Sequence, residues 1–262
     1  MGEVSVELKA GGRIALVRFD RGTKANALAL STMRELTEAA ERLAAEPTLA
    51  ALVLAGRDDN FSFGFDLRDP ETAGLADLTL AERRRAVSTG RRRCAGFARL
   101  DCLTISAVSG WCVGGGLALA TATDLRTAAT GAAFYAPEIE RGFNMSWGSA
   151  PRIAALIGPA RAKRMLVLAE RVPAATALDW GLVDDVAEDP LAAAMALAER
   201  AAEMPPVPLR MIKRSVDAFA LALAETASWA DFDQFALAGG SGDGAEAAAA
   251  FAEGRPPRFT GA

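Results

Sequence analysis

Residues 108–120 read Val108-Ser-Gly-Trp-Cys-Val-Gly-Gly-Gly-Leu-Ala-Leu-Ala120, placing three consecutive glycines between an apolar run and a helix-compatible stretch. Glycine permits positive φ and close backbone approach, and a helix that begins straight after the glycines points unpaired N–H groups at whatever lies in front of it. An oxyanion or a phosphate fits such a segment; a tight strand-to-helix turn with no ligand explains it equally well. Gly110 and Gly114 are four residues apart, so the GxGxxG dinucleotide fingerprint is not met.

Strand followed by glycine turn followed by helix sets the expectation for the rest of the chain. Upstream, Val4 to Ala10 and Arg13 to Phe19 alternate apolar and polar residues around Gly11-Gly12, which predicts a hairpin with a two-residue turn. Residues 31–45 carry Met33, Leu36, Ala40 and Leu43 on one helical face, with Ser31 as a cap. Ala50 to Ala55 is continuously apolar, as in a strand buried on both faces of a parallel sheet. An arginine-studded helix over 79–99 then precedes the strand Leu103 to Val108. Downstream, the glycines lead into a helix over 116–122, short strands at 125–128 and 132–135, and helical segments at 150–157 and 160–169. From residue 173 the chain is predominantly helical, at 174–180, 190–203, 206–224, 228–237 and 245–253, with one strand at 182–186; Ser241-Gly-Asp-Gly reads as a break before the last helix. The expected class is α/β: a core over residues 1–200 and a C-terminal helical region over 201–262.

Composition bounds the chemistry. The apolar fraction is 51% and the charged fraction 24%, ordinary globular values, and the formal net charge of -4 argues against nucleic acid or an anionic membrane as partner. No apolar run is long enough to span a bilayer and the N-terminus lacks the pattern of a signal peptide, so a cytoplasmic location is expected. Cys94, Cys102 and Cys112 match neither a metal pair nor a disulfide framework and read as reduced structural thiols. The 262 residues contain no histidine, which removes Ser-His-Asp and Cys-His nucleophile activation and every His-containing metal site. Proton transfer falls to Glu, Asp, Lys, Tyr or water.

Two further segments bear on chemistry. Asp59-Asn-Phe-Ser-Phe-Gly-Phe-Asp-Leu67 puts Gly64 and Asp66 just beyond a buried strand, where a second loop N–H could join one from the glycine segment in an oxyanion hole. A turn held by the Asp66 side chain is the alternative. Phe134-Tyr-Ala-Pro-Glu-Ile-Glu-Arg-Gly-Phe-Asn144 carries Glu138 and Glu140, which would share a side if the stretch is extended. A carboxyl among Phe, Trp, Met and Leu would have its pKa raised by desolvation and serve as a base near neutrality; as solvated loop acids the pair would do nothing.

The order and spacing of Asn26-Ala27-Leu28, Phe61 to Leu67, Ala107 to Gly116, Asp124-Leu125-Arg126, Pro137-Glu138-Ile139, Gly158 to Lys163, Ala177 to Asp184 and Ala249 to Phe259 resemble the crotonase (enoyl-CoA hydratase/isomerase) superfamily over nearly the whole chain. The resemblance implies a spiral of ββα units followed by helices that assemble trimers, commonly paired into hexamers. It implies no metal and no permanently bound cofactor, coenzyme A entering as part of an acyl-CoA or enoyl-CoA substrate. The thioester carbonyl would be held by the N–H groups of Phe65 and Gly115, with Glu138 as acid/base. Lys24, Phe63, Asp66 and Leu67, with Phe251 on the final helix and Arg255 as a shifted substitute just beyond it, map onto CoA-binding positions. Two-carboxylate hydratases of the family carry a glutamate where this chain has Ala118, so a single carboxylate remains, as in the family's Δ3-Δ2 isomerases. Other reactions of the fold, decarboxylation or thioester hydrolysis, and a non-catalytic CoA-binding homologue are the alternatives. The loop Asn144-Met145-Ser146-Trp147-Gly148 departs from the family pattern; Ser146 or Asn144 would position water or a polar acyl group and Trp147 would narrow the pocket. Arg83 to Arg85 and Arg91 to Arg93 are expected to form a solvated helix face, and Trp111, Cys112 and Trp229 to be core or interface.

Overall fold

The computed structural model describes residues 2–73, 78, 79, 81, 82, 84, 90 and 94–262. Its frame is a six-stranded sheet, β1 (Val4–Lys9), β2 (Ile14–Phe19), β3 (Ala51–Ala55), β4 (Leu103–Val108), β6 (Leu125–Ala129) and β9 (Asp185–Ala187), in the order β1-β2-β3-β4-β6-β9. Only β1 and β2 pair antiparallel; the other neighbours are parallel. A second, three-stranded sheet has the order β5 (Trp111–Val113), β7 (Ala133–Tyr135) and β8 (Val172–Pro173).

The two sheets are linked by a repeated move of the chain. After β4 the backbone turns at Gly110, whose φ is 50°, and enters the second sheet as β5; after β6 it crosses again to form β7. An isolated parallel bridge from Ser62 to Cys112 does the same after β3. Each turn of the spiral thus gives one strand to each sheet. Gly110 cannot be replaced without moving the neighbouring loop, because a Cβ there would stand 2.0 Å from the Asp59 carbonyl oxygen.

Apolar residues fill both faces of the large sheet, which is why β3 is buried at all five positions. On one side Phe19, Leu52, Leu54 and Phe61 pack with α1 (Leu30–Ala44), with α2 (Gly115–Ala120) and with Phe134 of the second sheet. Phe19 and Phe61 meet edge to face at 5.2 Å. On the other side Ala194, Ala198 and Ala201 of the helix over Pro190–Ala202 lie against Ile14, Leu16, Val53 and Ile105. The chain then runs through α3 (Ser149–Val167), α4 (Ala174–Trp180), α5 (Pro190–Ala202), α6 (Pro206–Ala220), α7 (Asp231–Gly239) and α8 (Gly242–Glu253). Arg126, 1% exposed, welds β6 to the approach of β9: it donates to the carbonyls of Leu182 and Thr123 and pairs with Asp184 at 3.2 Å. A buried guanidinium is tolerated only when its donors are satisfied in this way.

Several expectations need correction. The β1–β2 connection is a four-residue 3₁₀ turn, Ala10 to Arg13, with Ala10, Gly11 and Gly12 all at positive φ, because Lys9 pairs with Ile14. Ser31 lies inside α1; the Leu30 N–H at its start is met by the Asp69 carboxylate at 3.0 Å, a partner from 39 residues away. The segment 110–116 contains strand β5, too short to show periodicity. The break expected at Ser241-Gly-Asp-Gly is present but shorter: one helix ends at Gly239 and Ser241 caps α8 from Gly242, its hydroxyl accepting from the Gly244 N–H at 3.0 Å. The helix expected over 206–224 ends at Ala220, a short helical turn follows at Ala224–Ala227, and the helix expected over 228–237 runs over Asp231–Gly239. The two helical segments expected at 150–157 and 160–169 are present, joined within α3 across a kink at Gly158, whose φ of 77° and ψ of 159° are non-helical. Most of the helix expected over 79–99 falls outside the described residues, as do Arg83, Arg85 and Arg91 to Arg93; Arg84 pairs with Asp233 at 3.2 Å. Among the described residues no helix is long and apolar enough to cross a membrane, and no cluster of His, Cys, Asp or Glu is placed to hold a metal ion.

Candidate active site

Parallel pairing in register builds the site. Ser62 bridges Cys112, and Cys112 pairs with Phe134, so the chain segments three residues further on emerge side by side at one end of the second sheet. Those segments carry Phe65, Gly115 and Pro137-Glu138. Together they line a cavity of about 670 Å³. Phe63, Leu67, Ala118, Ser146 and Trp147 line it as well.

The Phe65 N–H is exposed to this cavity by the alternation of an extended chain. The Leu28 N–H donates to the Gly64 carbonyl at 2.7 Å and the Asp66 N–H to the Leu28 carbonyl at 3.0 Å, so residues 64 and 66 are engaged on one side and the Phe65 N–H turns to the other. Asn26, fully buried, locks this loop: its Nδ2 donates to the carbonyls of Phe19 and Phe61, and its Oδ1 accepts from the Arg21 N–H. The Ser62 hydroxyl adds a bond to the Asn26 carbonyl and accepts from the Gly64 N–H.

Across the cavity the Gly114 N–H donates to the Tyr135 carbonyl at 2.9 Å, and α2 begins at Gly115 with its first N–H outside the helix ladder. A Cβ on Gly115 would stand 3.2 Å from the Phe65 nitrogen, and one on Gly64 3.0 Å from the Gly115 nitrogen. Two N–H groups thus converge without side chains between them, and among the described residues neither has an acceptor. Backbone donors held like this can stabilise a developing oxyanion.

Glu138 stands directly beside them. A Cβ on Gly114 would meet its Oε1 at 2.6 Å, so glycine is required there by contact as well as by a φ of 52°. The residue as a whole is half-buried, but its carboxyl is enclosed and Oε2 has no hydrogen-bond partner among the described residues. Desolvation pushes its pKa up to about 7, opposed only weakly by its own backbone N–H and by Arg141. Glu138 is the one carboxylate lining the cavity among the described residues. Glu140 points elsewhere and accepts a hydrogen bond from the Tyr135 hydroxyl.

The structure does not bring every expected residue to the cavity. Asp66 turns away: although burial would raise its pKa, the Arg21 guanidinium at 2.6 Å and the N–H groups of Arg68 and Asp69 hold it low, as a charged anchor of the loop. Lys24 is exposed and absent from the lining, its carbonyl taken by Asn60. Phe251 lies under the Arg141 guanidinium at 3.8 Å, behind the lining, and Arg255 is clamped by Glu246 and Glu253. Trp111, expected in core or interface, lines the cavity beside Phe63, the rings 6.1 Å apart. Cys112 is fully buried and burial raises its thiol pKa, as expected of a structural cysteine, while Trp229 is exposed. Sequence reasoning missed Tyr135, Arg141 and Arg171 as lining residues. Arg171, whose guanidinium lies 5.1 Å from the Tyr135 ring, comes from the approach to β8, two residues long and without any sequence signal.

The sequence profile of enoyl-CoA hydratase/isomerase matches residues 9–262. The chain is 33% identical over 254 residues to the probable enoyl-CoA hydratase echA8 of Mycobacterium tuberculosis, covering 95% of each, and 28% identical over 262 residues to the crotonyl-CoA hydratase of Syntrophomonas wolfei, covering 99% of each. The crystal structure of an enoyl-CoA hydratase from Mycobacterium avium subsp. paratuberculosis superposes with a TM-score of 0.85 at 26% identity, covering 99% of both chains. The chain belongs to the enoyl-CoA hydratase/isomerase family.

Proposed function

We propose that the protein moves a proton on the acyl group of a CoA thioester, holding the thioester oxygen between the N–H groups of Phe65 and Gly115 and using Glu138 as the single acid/base. The observation that carries this reading is one enclosed carboxyl with a pKa near 7 beside two converging, unengaged N–H groups. The Glu138 carboxylate takes the C2 proton of a 3-enoyl-CoA, and the electron pair moves onto the thioester oxygen as an enolate. Protonation at C4 by the same carboxyl then shifts the double bond from C3–C4 to C2–C3. No metal or redox cofactor enters, and coenzyme A is present only as part of the substrate.

Hydration of a 2-enoyl-CoA is the second reading, favoured by the hydratase names of the relatives. With Ala118 in the lining where a second carboxylate would stand, a water would have Glu138 alone to orient it. Incubating 3-enoyl-CoA and 2-enoyl-CoA separately in deuterated water separates the two. Isomer without 3-hydroxyacyl-CoA supports the first reading, 3-hydroxyacyl-CoA the second, and binding of both substrates without turnover would reduce the chain to a CoA-binding homologue.

Residues 201–262 carry a surplus of exposed apolar side chains, Phe219 at 89% and Leu237 at 78% among them. We assign this region to assembly of a homotrimer or a dimer of trimers, in the cytoplasm where acyl-CoA is available.

A further inference from the structure

We propose that the indole of Trp147 is the end wall of the acyl pocket and restricts the enzyme to short acyl chains; the inference rests on the thioester reading above. Trp147 sits at φ 62° and is followed by Gly148 at 69°. A tryptophan in the left-handed region is strained, and such strain persists only where surrounding bonds impose it. Here the Gly148 N–H donates to the Asp231 carboxylate at 2.7 Å and the Arg152 guanidinium to the Trp147 carbonyl at 3.4 Å. The loop is therefore held so that the ring turns inward.

The ring is wedged between two glycines that have no alternative. A Cβ on Gly90 would stand 2.2 Å from Cε2 and 2.3 Å from Nε1, and a Cβ on Gly115 2.8 Å from Cζ3 and 2.9 Å from Cη2. Opposite edges of the indole thus touch opposite walls, and the Phe65 ring meets it edge to face at 6.1 Å. Among the described residues the surroundings of this end are closed, with Gly90, Ala118 and Met145 all buried, whereas Phe63, Leu67 and Arg171 at the other end are exposed. A thioester whose oxygen lies between Phe65 and Gly115 sends its CoA out through the exposed rim. Its acyl chain runs toward the indole.

Calorimetric titration of the full chain with butyryl-, octanoyl- and dodecanoyl-CoA, saturated probes that are not turned over, tests the inference. Wild type should bind dodecanoyl-CoA at least about tenfold more weakly than butyryl-CoA, since a chain longer than the pocket must crowd against the wall or pull the thioester out of the oxyanion hole. Trp147→Gly relieves the backbone strain while removing the wall, and should tighten dodecanoyl-CoA by about tenfold or more while changing butyryl-CoA less than about threefold. Trp147→Ala, which keeps the backbone constraint, should shift the profile in the same direction, with thermal melts confirming that both variants fold. An unchanged length profile in both variants, or wild type that already binds dodecanoyl-CoA as tightly as butyryl-CoA, would overturn the wall. Failure of wild type to bind any of the three would overturn the thioester reading with it.

Discussion

Glu138 stands in an environment that favours its neutral form, and this sets its behaviour with pH. Its ordinary pKa of 4.5 is raised to about 7, chiefly by loss of water around the carboxyl. A base must be ionised, so kcat/KM should rise with pH through about 7 and level off above it; a profile flat from pH 5 to 9 would exclude Glu138 as the base. The same shift has a stability cost. Between pH 4.5 and about 7 the native chain keeps a proton that the unfolded chain has released, so stability present below 4.5 is lost as pH rises through this window. Glu138→Gln removes the ionisable group. At pH 8 it should be more stable than wild type by up to about 3 kcal/mol in denaturant titration, with the gain vanishing near pH 4, while activity falls by about 10² to 10⁴.

The site is assembled by elements that end together. Parallel register along Ser62, β5 and β7 sets the three segments side by side, and the loop between β1–β2 and α1 supplies the lock through Asn26. Asn26→Ala would leave two buried carbonyls and one N–H without partners. Unfolding should show a loss of roughly 2 to 4 kcal/mol, and kcat should fall in the folded fraction because the Phe65 N–H is no longer aimed. Gly114→Ala acts at the neighbouring turn: its Cβ collides with the Glu138 carboxyl and forces a positive φ on alanine. Activity should drop by more than tenfold with a smaller change in melting temperature, which steady-state kinetics beside calorimetry would separate.

At the scale of the molecule, the large sheet is covered on both faces within one chain, whereas α6 has no buried residue at all. Val207, Met211, Ile212, Val216 and Phe219 remain exposed along it. An apolar surface of this kind is satisfied by association. On the assembly proposed above, Phe219→Asp should convert the oligomer to smaller species in sedimentation velocity while the isolated chain keeps its circular dichroism; an unchanged sedimentation coefficient would remove α6 from the interface.

The α/β class and Glu138 as a candidate base were legible in the chain itself, because a fully apolar strand such as Ala51–Ala55 and the lack of histidine are local properties, while the family and the pairing of Phe65 with Gly115 came through the resemblance of the ordered motifs. The sequence also placed most helices within a few residues. Only the tertiary structure decided what those residues face. Register between strands as short as β5 and β8 is set by pairing, not by periodicity, so Trp111 and Arg171 reached the cavity unannounced. Asp66 and Arg255 do not face the cavity, because carboxylate–guanidinium pairs across 45 and 9 residues hold them elsewhere. The raised pKa of Glu138 belongs to the fold for the same reason: desolvation comes from neighbours that chain order does not reveal.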